Sequence, residues 1–299
     1  IKPIHSLASY VMDGVGKPDI IVDGYNSPHN FSLKPSHAKM IEKANLIIWV
    51  GEDLETFLEK PLKTISKDAV NVEIMDLKGI KKLKFREKNI FEGHDDHGHG
   101  HKEHKEHGHD EHKEHGHKEK KHDDHGHEGH AHGEHDPHVW LDPMNAKVIV
   151  KEIENQLVKL DPDNASKYKA NSKKAQSELD NLTRNIKKDL KKDLRFVVFH
   201  DAYQYFENRF GIKVLGALTV NPDVLPGAEQ LSEIREVIEH EKVNCLFSEP
   251  QFNPAIIKSI AKDTKVKTGV LDPLGATIDK GKGMYTQLLS NMYGSFKGC

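Results

Sequence analysis

The chain has 299 residues, which is enough for one large domain or two lobes. Its 44 basic and 47 acidic side chains give a formal net charge of −3, a balance that offers no electrostatic reason to expect nucleic acid as a partner. No apolar run approaches the ~18 residues that a membrane-spanning helix needs. The chain starts at Ile1 instead of Met and lacks a signal-peptide pattern, so we expect a processed or trimmed form.

Apolar runs alternate with amphipathic stretches from the start of the chain to a histidine-rich tract. The runs that predict strands are the first residues of the chain, DIIVDG, LIIWVG and VNVEIMD. Helices are predicted after the first strand, from Pro35 onward, and in LETFLEKPLKTI, where Pro61 predicts a kink or a stop. A turn-rich loop that holds His29 lies between DIIVDG and the second of these helices.

The tract contains sixteen of the 22 histidines, between His94 and His135, interspersed with Asp, Glu, Lys and Gly. Imidazole is a borderline-soft nitrogen donor that suits Zn, Cu and Ni, and such composition is typical of metal binding. The tract has almost no apolar side chains, so it cannot offset the entropy of ordering its backbone. We predict a disordered loop at about 93–136 that collects metal with low affinity. An affinity tag or an inert insert is the alternative.

After DPHVWLDP, an amphipathic helix is predicted up to Pro162, and a segment without Gly or Pro follows from Asp163 to Asp193. Its high charge and sparse apolar residues predict a solvated helix of about 28 residues that joins two lobes. A coiled-coil arm is the alternative, but apolar heptad positions do not persist. Beyond this helix, the predicted strands, each followed by a helix, are RFVVFH, KVLGAL, NCLFSEP and VKTGVLDP.

Four β-α units on each side of the long helix predict an α/β fold. We expect two lobes, each with a parallel four-stranded sheet flanked by helices, joined by one long rigid helix. The predicted boundaries are 1–160 for the N-terminal lobe, 161–192 for the connecting helix and 193–299 for the C-terminal lobe.

Four side chains are placed where such a fold binds ligands, which is beyond the carboxyl ends of its strands. His200 and Asp272 fall at the ends of predicted strands, and His29 and His138 fall in loops that can face the same cleft. Asp201 is a candidate to orient His200 or to cap the following helix. Glu249, at the end of another strand, is a candidate to line the cleft, whereas the remaining histidines outside the tract are expected to make local hydrogen bonds or face solvent. Those histidines are His5, His37 and His240.

Cys245 and Cys299 are the two cysteines of the chain. They could be unrelated thiols. They could also form a bridge, which would pin the C-terminus to a core strand and indicate an oxidising compartment. A bridge that closes a loop of about 55 residues stabilises the fold by roughly 4 kcal/mol in the chain-entropy model.

The chain resembles a known family at several of these motifs. The matching segments are SPHNFSLKPSHAKMIEKANLIIWVGEDLETFLEKP, DPHVWLDP, FVVFHDAYQYFENRFG, LTVNPDVLPGAEQLSEIR, LFSEPQFNP and GVLDPLG. They run over nearly the whole chain and resemble the cluster A-I (TroA-like) metal-binding proteins of ABC transporters, in particular the periplasmic zinc-uptake type called ZnuA. An acidic, histidine-rich insert before DPHVWLDP is itself a feature of that type.

The resemblance implies a metal site formed by His29, His138 and His200. It implies Asp272, or else water, as the fourth ligand. The glutamate proposed as a ligand in some zinc members is replaced here by Pro28. Three neutral imidazoles with one carboxylate or water make a tetrahedral site that suits Zn²⁺. Manganese-type relatives have a carboxylate at the third position, so His200 favours zinc.

The function that the resemblance implies is high-affinity binding of Zn²⁺ in the periplasm and its delivery to an ABC transporter permease for zinc uptake. The tract would serve as a low-affinity zinc collector or sensor. The resemblance also implies a monomer without enzyme activity, a disulfide between Cys245 and Cys299, and a periplasmic zinc chaperone as a further candidate partner. Two other functions share some of these features: a zinc hydrolase, although the sequence has no HExxH, and a storage protein whose main site is the tract.

Overall fold

Two parallel β-sheets carry the fold, which we describe from a computed structural model for residues 1–66, 68–86, 88–91, 133–190, 194–222 and 224–299. The strands are β1 (Leu46–Trp49), β2 (Val70–Glu73), β3 (Arg195–His200), β4 (Lys213–Thr219), β5 (Cys245–Ser248) and β6 (Lys267–Val270). The helices are α1 (Lys2–Val11), α2 (Pro35–Lys43), α3 (Thr56–Thr64), α4 (Pro143–Leu160), α5 (Ala165–Asp189), α6 (Gln204–Phe210), α7 (Ala228–His240), α8 (Ala255–Thr264) and α9 (Met284–Lys297). The predicted α/β class, with parallel sheets flanked by helices, is confirmed.

The larger sheet has four parallel strands in the order β4-β3-β5-β6, as predicted for the C-terminal half. Alternate side chains of β3 enter different apolar clusters. Phe196 and Val198 pack into one cluster, and Val197 and Phe199 pack into another. Because side chains alternate with a period of two along a strand, His200 lies on the face of Phe196 and Val198.

The smaller sheet contains β1 and β2, paired in parallel with Leu46 opposite Val70, whereas four strands were expected. The first residues of the chain belong to α1, and segment 19–24 is not a strand. This segment borders a cavity of about 780 Å³, and among the described residues no strand pairs with it. A strand is stable only when a neighbour satisfies its backbone groups, so apolar composition was not sufficient there.

The long helix α5 has 25 residues and follows a 3-10 turn at Pro162–Asn164. Its apolar and small side chains recur every three or four residues and form one buried stripe. The stripe consists of Tyr168, Ser172, Ala175, Leu179, Thr183 and Ile186. The helix packs against α1, α4 and α9, so it is an amphipathic core helix and not the fully solvated strut that its charge suggested.

By its internal contacts, the described chain belongs to one compact unit, Ile1–Glu92 with Gly133–Cys299. The division into lobes at 1–160 and 193–299 stays a prediction. The collector loop expected at about 93–136 lies outside the described residues except for its last four. In the described ranges, no helix combines the length and the apolar character that crossing a membrane requires.

A disulfide joins Cys245 to Cys299, 54 residues later, which confirms the pairing implied by the resemblance. Cys245 is fully buried and lies opposite Phe196 of the neighbouring strand. The bond therefore ties the segment after α9 to the interior of the larger sheet.

Replacing both cysteines by serine should lower the free energy of unfolding by about 4 kcal/mol, because a closed loop of this length no longer restricts the unfolded chain. Urea denaturation followed by circular dichroism measures the change. Reducing the wild-type protein should cause a similar loss and should leave the Cys245→Ser, Cys299→Ser variant unaffected. Unfolding midpoints that do not move in either experiment would show that the bond contributes nothing to stability.

Candidate metal centre

The first predicted ligand, His29, lies in the loop between α1 and α2. Its backbone N–H donates to Ser27 Oγ at 3.3 Å, a local bond of the kind that stabilises Ser-containing turns. The side chain is partly exposed, whereas His138 and His200 are each only 3% exposed. His29 is therefore the candidate ligand nearest to solvent.

The second predicted ligand, His138, precedes the 3-10 turn Val139–Leu141 that leads into α4. Asp136 holds it twice, because Asp136 Oδ1 accepts from the backbone N–H of His138 at 2.9 Å and lies 2.7 Å from the ring Nδ1. Asp136 is fully buried. On the far side of the turn, Trp140 Nε1 donates to the carbonyl of Pro273 at 2.8 Å and fixes the turn against the loop after β6.

The third predicted ligand, His200, is the last residue of β3. Its Nδ1 lies 2.7 Å from Oε1 of Glu249, the residue directly after β5. Because β3 and β5 are parallel neighbours, their carboxyl ends meet at one edge of the sheet and bring the two side chains together. The orienting role considered for Asp201 is thus performed by Glu249, while Asp201 Oδ1 accepts from Arg86 Nη1 at 2.9 Å.

The three imidazoles converge on a common point. Their ligand atoms all lie within 4.8 Å of one another, and the Nε2 atoms of His138 and His200 are 3.2 Å apart. Since a carboxylate occupies Nδ1 of each buried ring, the Nε2 lone pairs are the ones left for a cation. Zinc–imidazole bonds of about 2.0–2.1 Å require nitrogens roughly 3.3 Å apart in a tetrahedral site, which the cluster approaches.

Burial and charge set the protonation of the two buried rings. Burial, and then the neighbouring His200, lower the pKa of His138 well below 6.5, so this ring stays neutral. Burial also acts to lower the pKa of His200, but Glu249 and then Asp201 outweigh it, and the pKa is raised. Burial raises the pKa of Asp136 to about 7. A cation held between the rings would compensate the desolvated carboxylates behind them.

The last histidine of the histidine-rich tract pairs with a segment that precedes the tract, close to this centre. Lys84 and His135 form an antiparallel bridge, and the N–H of Asp136 donates to the carbonyl of Leu83 at 2.9 Å. Tyr205 joins both segments, because its hydroxyl accepts from the N–H of Leu83 at 3.0 Å and donates to the carbonyl of Asp136 at 2.7 Å. The pairing therefore ends two residues before a candidate ligand.

The fourth predicted ligand, Asp272, is not a member of the histidine cluster found among the described residues. Its Oδ1 accepts from Gln251 Nε2 at 2.9 Å and from the N–H of Leu274 at 3.2 Å, and its Oδ2 accepts from the N–H of Thr277 at 3.4 Å. Direct ligation by Asp272 stays a prediction.

Sequence reasoning did not identify Asp136. The available signal was its position two residues before His138, since Asp carboxylates readily bond to the backbone two residues further on. The local bonds expected of two other histidines are present. His5 Nε2 lies 3.0 Å from the carbonyl of Pro18, and His37 Nδ1 accepts from the N–H of Lys34 at 3.2 Å.

Three converging imidazoles on an α/β frame, with a carboxylate behind each buried ring, define a metal-binding protein. Comparison with known families specifies the class further. A family model described as the periplasmic component A of the zinc-uptake complex, ZnuA, matches residues 1–299. The chain belongs to this family.

Individual relatives agree with that assignment. The high-affinity zinc uptake system protein ZnuA of Brucella abortus (strain 2308) is 50% identical over 301 residues, which cover 100% of this chain and 90% of the relative. The Yersinia pestis protein of the same name is 36% identical over 303 residues, which cover 100% of this chain and 89% of that relative. A crystal structure of ZnuA superimposes with a TM-score of 0.75 at 22% identity over 100% of this chain and 96% of that chain, and shows the same fold.

Glu249→Gln should weaken zinc binding about 10- to 100-fold, because the substitution removes the negative charge that supports His200 and allows its amide to offer a donor where an acceptor is needed. Competition with a chelating dye measures the dissociation constant. Glu233→Gln, at an exposed position on α7, is the matched control and should leave the constant unchanged. If the two variants have equal zinc dissociation constants, Glu249 does not support the metal centre.

Metal affinity should fall as the pH is lowered, and the fall should begin above pH 6.5, since the pKa of His200 is raised from that value. A cation must displace the proton that this ring carries, whereas His138, whose pKa is lowered, is neutral already. Zinc titration calorimetry between about pH 8 and about pH 5.5, in buffers of different ionisation enthalpy, measures affinity and proton release. An affinity that stays constant through this range would contradict imidazole ligation.

Proposed function

We propose that this protein binds one Zn²⁺ between the imidazoles of His29, His138 and His200 and delivers it to the membrane permease of an ABC transporter. The observation that carries the proposal is the convergence of three nitrogen donors, two of them held by buried carboxylates. Membership of the zinc-uptake family supports both the cargo and its destination. The names of the Brucella and Yersinia relatives, which state high-affinity zinc uptake, support them further.

Zinc is the preferred cargo on chemical grounds. Three neutral imidazoles suit a borderline-soft cation that accepts tetrahedral coordination, whereas manganese prefers carboxylate and water oxygens. Cu²⁺ and Ni²⁺ also bind imidazole tightly, so selection against them depends on geometry and on metal availability.

The size of the site supports binding of a bare ion and not turnover of an organic substrate. The cavity between the imidazoles measures about 10 Å³, which is room for about one water-sized particle. Pockets for organic ligands measure roughly 300–1,000 Å³. We therefore propose a transport protein without hydrolase activity.

For the histidine-rich tract we propose a low-affinity collector or sensor role, on the basis of its composition. The pairing of Lys84 with His135 supports this role, because it fixes the last histidine of the tract three residues before His138. We propose the periplasm as the compartment, and the disulfide is consistent with its oxidising conditions. A monomer that receives zinc from a periplasmic chaperone completes the proposal.

Replacing residues 93–132 with a short Gly-Ser linker should leave one tight zinc site and abolish the weaker ones, because the linker preserves the pairing at Glu134 and His135. In that background, His138→Ala or His200→Ala should weaken the remaining site by at least about 100-fold, since each removes a ligand. Metal analysis by native mass spectrometry gives the stoichiometry, and chelator competition gives the affinity.

His240→Ala, on the last turn of α7, is the control for the alanine variants and should bind zinc as the linker variant does. Disappearance of the tight site with the tract would support a storage protein instead. Unchanged affinity after His138→Ala and His200→Ala would refute the three-histidine site.

A further inference from the structure

The three imidazoles leave one side of the metal centre open, and few polar groups face it. Among the described residues, the oxygen-bearing side chains that line this cavity are Ser27, Glu249 and Gln251. Ser27 Oγ already accepts from the N–H of His29. Glu249 bonds through Oε1 to Nδ1 of His200. Its Oε2 is also buried without a donor, but it belongs to the same carboxylate and therefore lies on the Nδ1 side of that ring, away from Nε2. Gln251 is the one of the three whose neutral carbonyl oxygen is buried without a partner in the described part of the chain, so its side chain is the candidate for the open position.

Asp272 fixes the orientation of the Gln251 amide. An ionised carboxylate only accepts hydrogen bonds, so Gln251 must present Nε2 to Asp272 Oδ1, and the two atoms are 2.9 Å apart. Its Oε1 consequently points away from Asp272. This oxygen is buried, and no donor in the described part of the chain reaches it. A buried acceptor without a donor is unfavourable, which indicates a ligand as its missing partner.

Asp272 also shapes the wall of the cavity. The oxygen that holds Gln251 accepts a second hydrogen bond from the N–H of Leu274, and Leu274 and Pro273 line the cavity. One carboxylate oxygen thus fixes both an amide and a loop at the edge of the metal centre without approaching the imidazoles closely enough to join their cluster.

We propose that Gln251 Oε1 faces the fourth coordination position of the bound cation, and that Asp272 acts on the metal centre through Gln251, as a positioning residue. The proposal rests on the three-histidine zinc site proposed above and extends it. It explains why an aspartate beside the site has its oxygens directed to N–H groups of the protein. It also assigns the fourth coordination position to a neutral oxygen, Gln251 Oε1, which adds no charge to the site.

The distinguishing experiment compares four variants at two positions. Gln251→Ala and Asp272→Ala should each weaken zinc binding about tenfold, and the double variant should bind no more weakly than either single one, because both remove the same contact. Asp272→Asn should bind zinc within about twofold of wild type, since its Oδ1 can still accept from Gln251 and from Leu274 and only the long contact with the N–H of Thr277 is lost. Chelator competition measures the affinities.

A second readout tests the coordination itself. The visible absorption of the Co²⁺-loaded protein reports the ligand field, and a general loss of stability would not alter it in the folded protein. Gln251→Ala and Asp272→Ala should shift this spectrum in the same way, and Asp272→Asn should retain the wild-type spectrum. Gln176→Ala, which removes an amide bonded to Ser172 on α5, should change neither the spectrum nor the zinc affinity.

Other outcomes would overturn the proposal. If Asp272 ligates the metal directly, Asp272→Asn should lose affinity as severely as Asp272→Ala, and Gln251→Ala should resemble wild type. Additive losses in the double variant would show two independent effects. His200→Ala is included as the reference for the underlying site. If that variant keeps tight zinc binding, the three-histidine site is refuted, and the proposed role of Gln251 is refuted with it. The outcomes described before this one refute the role of Gln251 alone.

Discussion

A buried imidazole can offer one nitrogen to a cation only if its other nitrogen finds an acceptor inside the protein. This requirement governs the metal centre, because His138 and His200 are almost completely buried and each has its Nδ1 against a carboxylate. The carboxylates fix which nitrogen carries the proton and hold the ring planes in place. Their charges are costly to bury, and a cation between the rings would compensate them.

The two pairs are built by different means. Asp136 and His138 are two residues apart, so a local turn suffices to join them. Glu249 and His200 are far apart in the chain, and the parallel pairing of β3 with β5 brings them together. A local turn and a sheet edge thus produce the same contact, a carboxylate oxygen 2.7 Å from a histidine Nδ1, at one cavity.

A second group of charged side chains, centred on Arg86, lies next to the metal centre and joins two segments of the chain. Arg86 bonds to Asp201 and to both carboxylate oxygens of Glu207, and its guanidinium lies 4.0 Å from the centre of the Phe91 ring. Planar guanidinium groups suit such bidentate and stacked contacts. The segment before the histidine-rich tract is therefore fixed to the segment that follows His200.

Much of the larger sheet could be predicted from the sequence, because its strands are continuous apolar runs and its helices begin at recognisable residues. The smaller sheet was less predictable. DIIVDG has strand composition, but pairing depends on a neighbour that local sequence does not reveal. The convergence of His29, His138 and His200 followed from resemblance and from strand-end topology. The partners of Asp272 could not be inferred, since they depend on contacts between loops that have no periodic pattern.

The bridge between Lys84 and His135 has a consequence for how this protein can change over generations. When two points of a chain are already held side by side, the entropic penalty of the segment between them grows only with the logarithm of its length, about 0.6 kcal/mol for each doubling. Changes in length between Phe91 and Gly133, which leave the bonds of Arg86, Asn89 and Phe91 intact, should therefore cost the rest of the fold little. The number of imidazoles in that stretch can therefore change while the folded frame stays as it is.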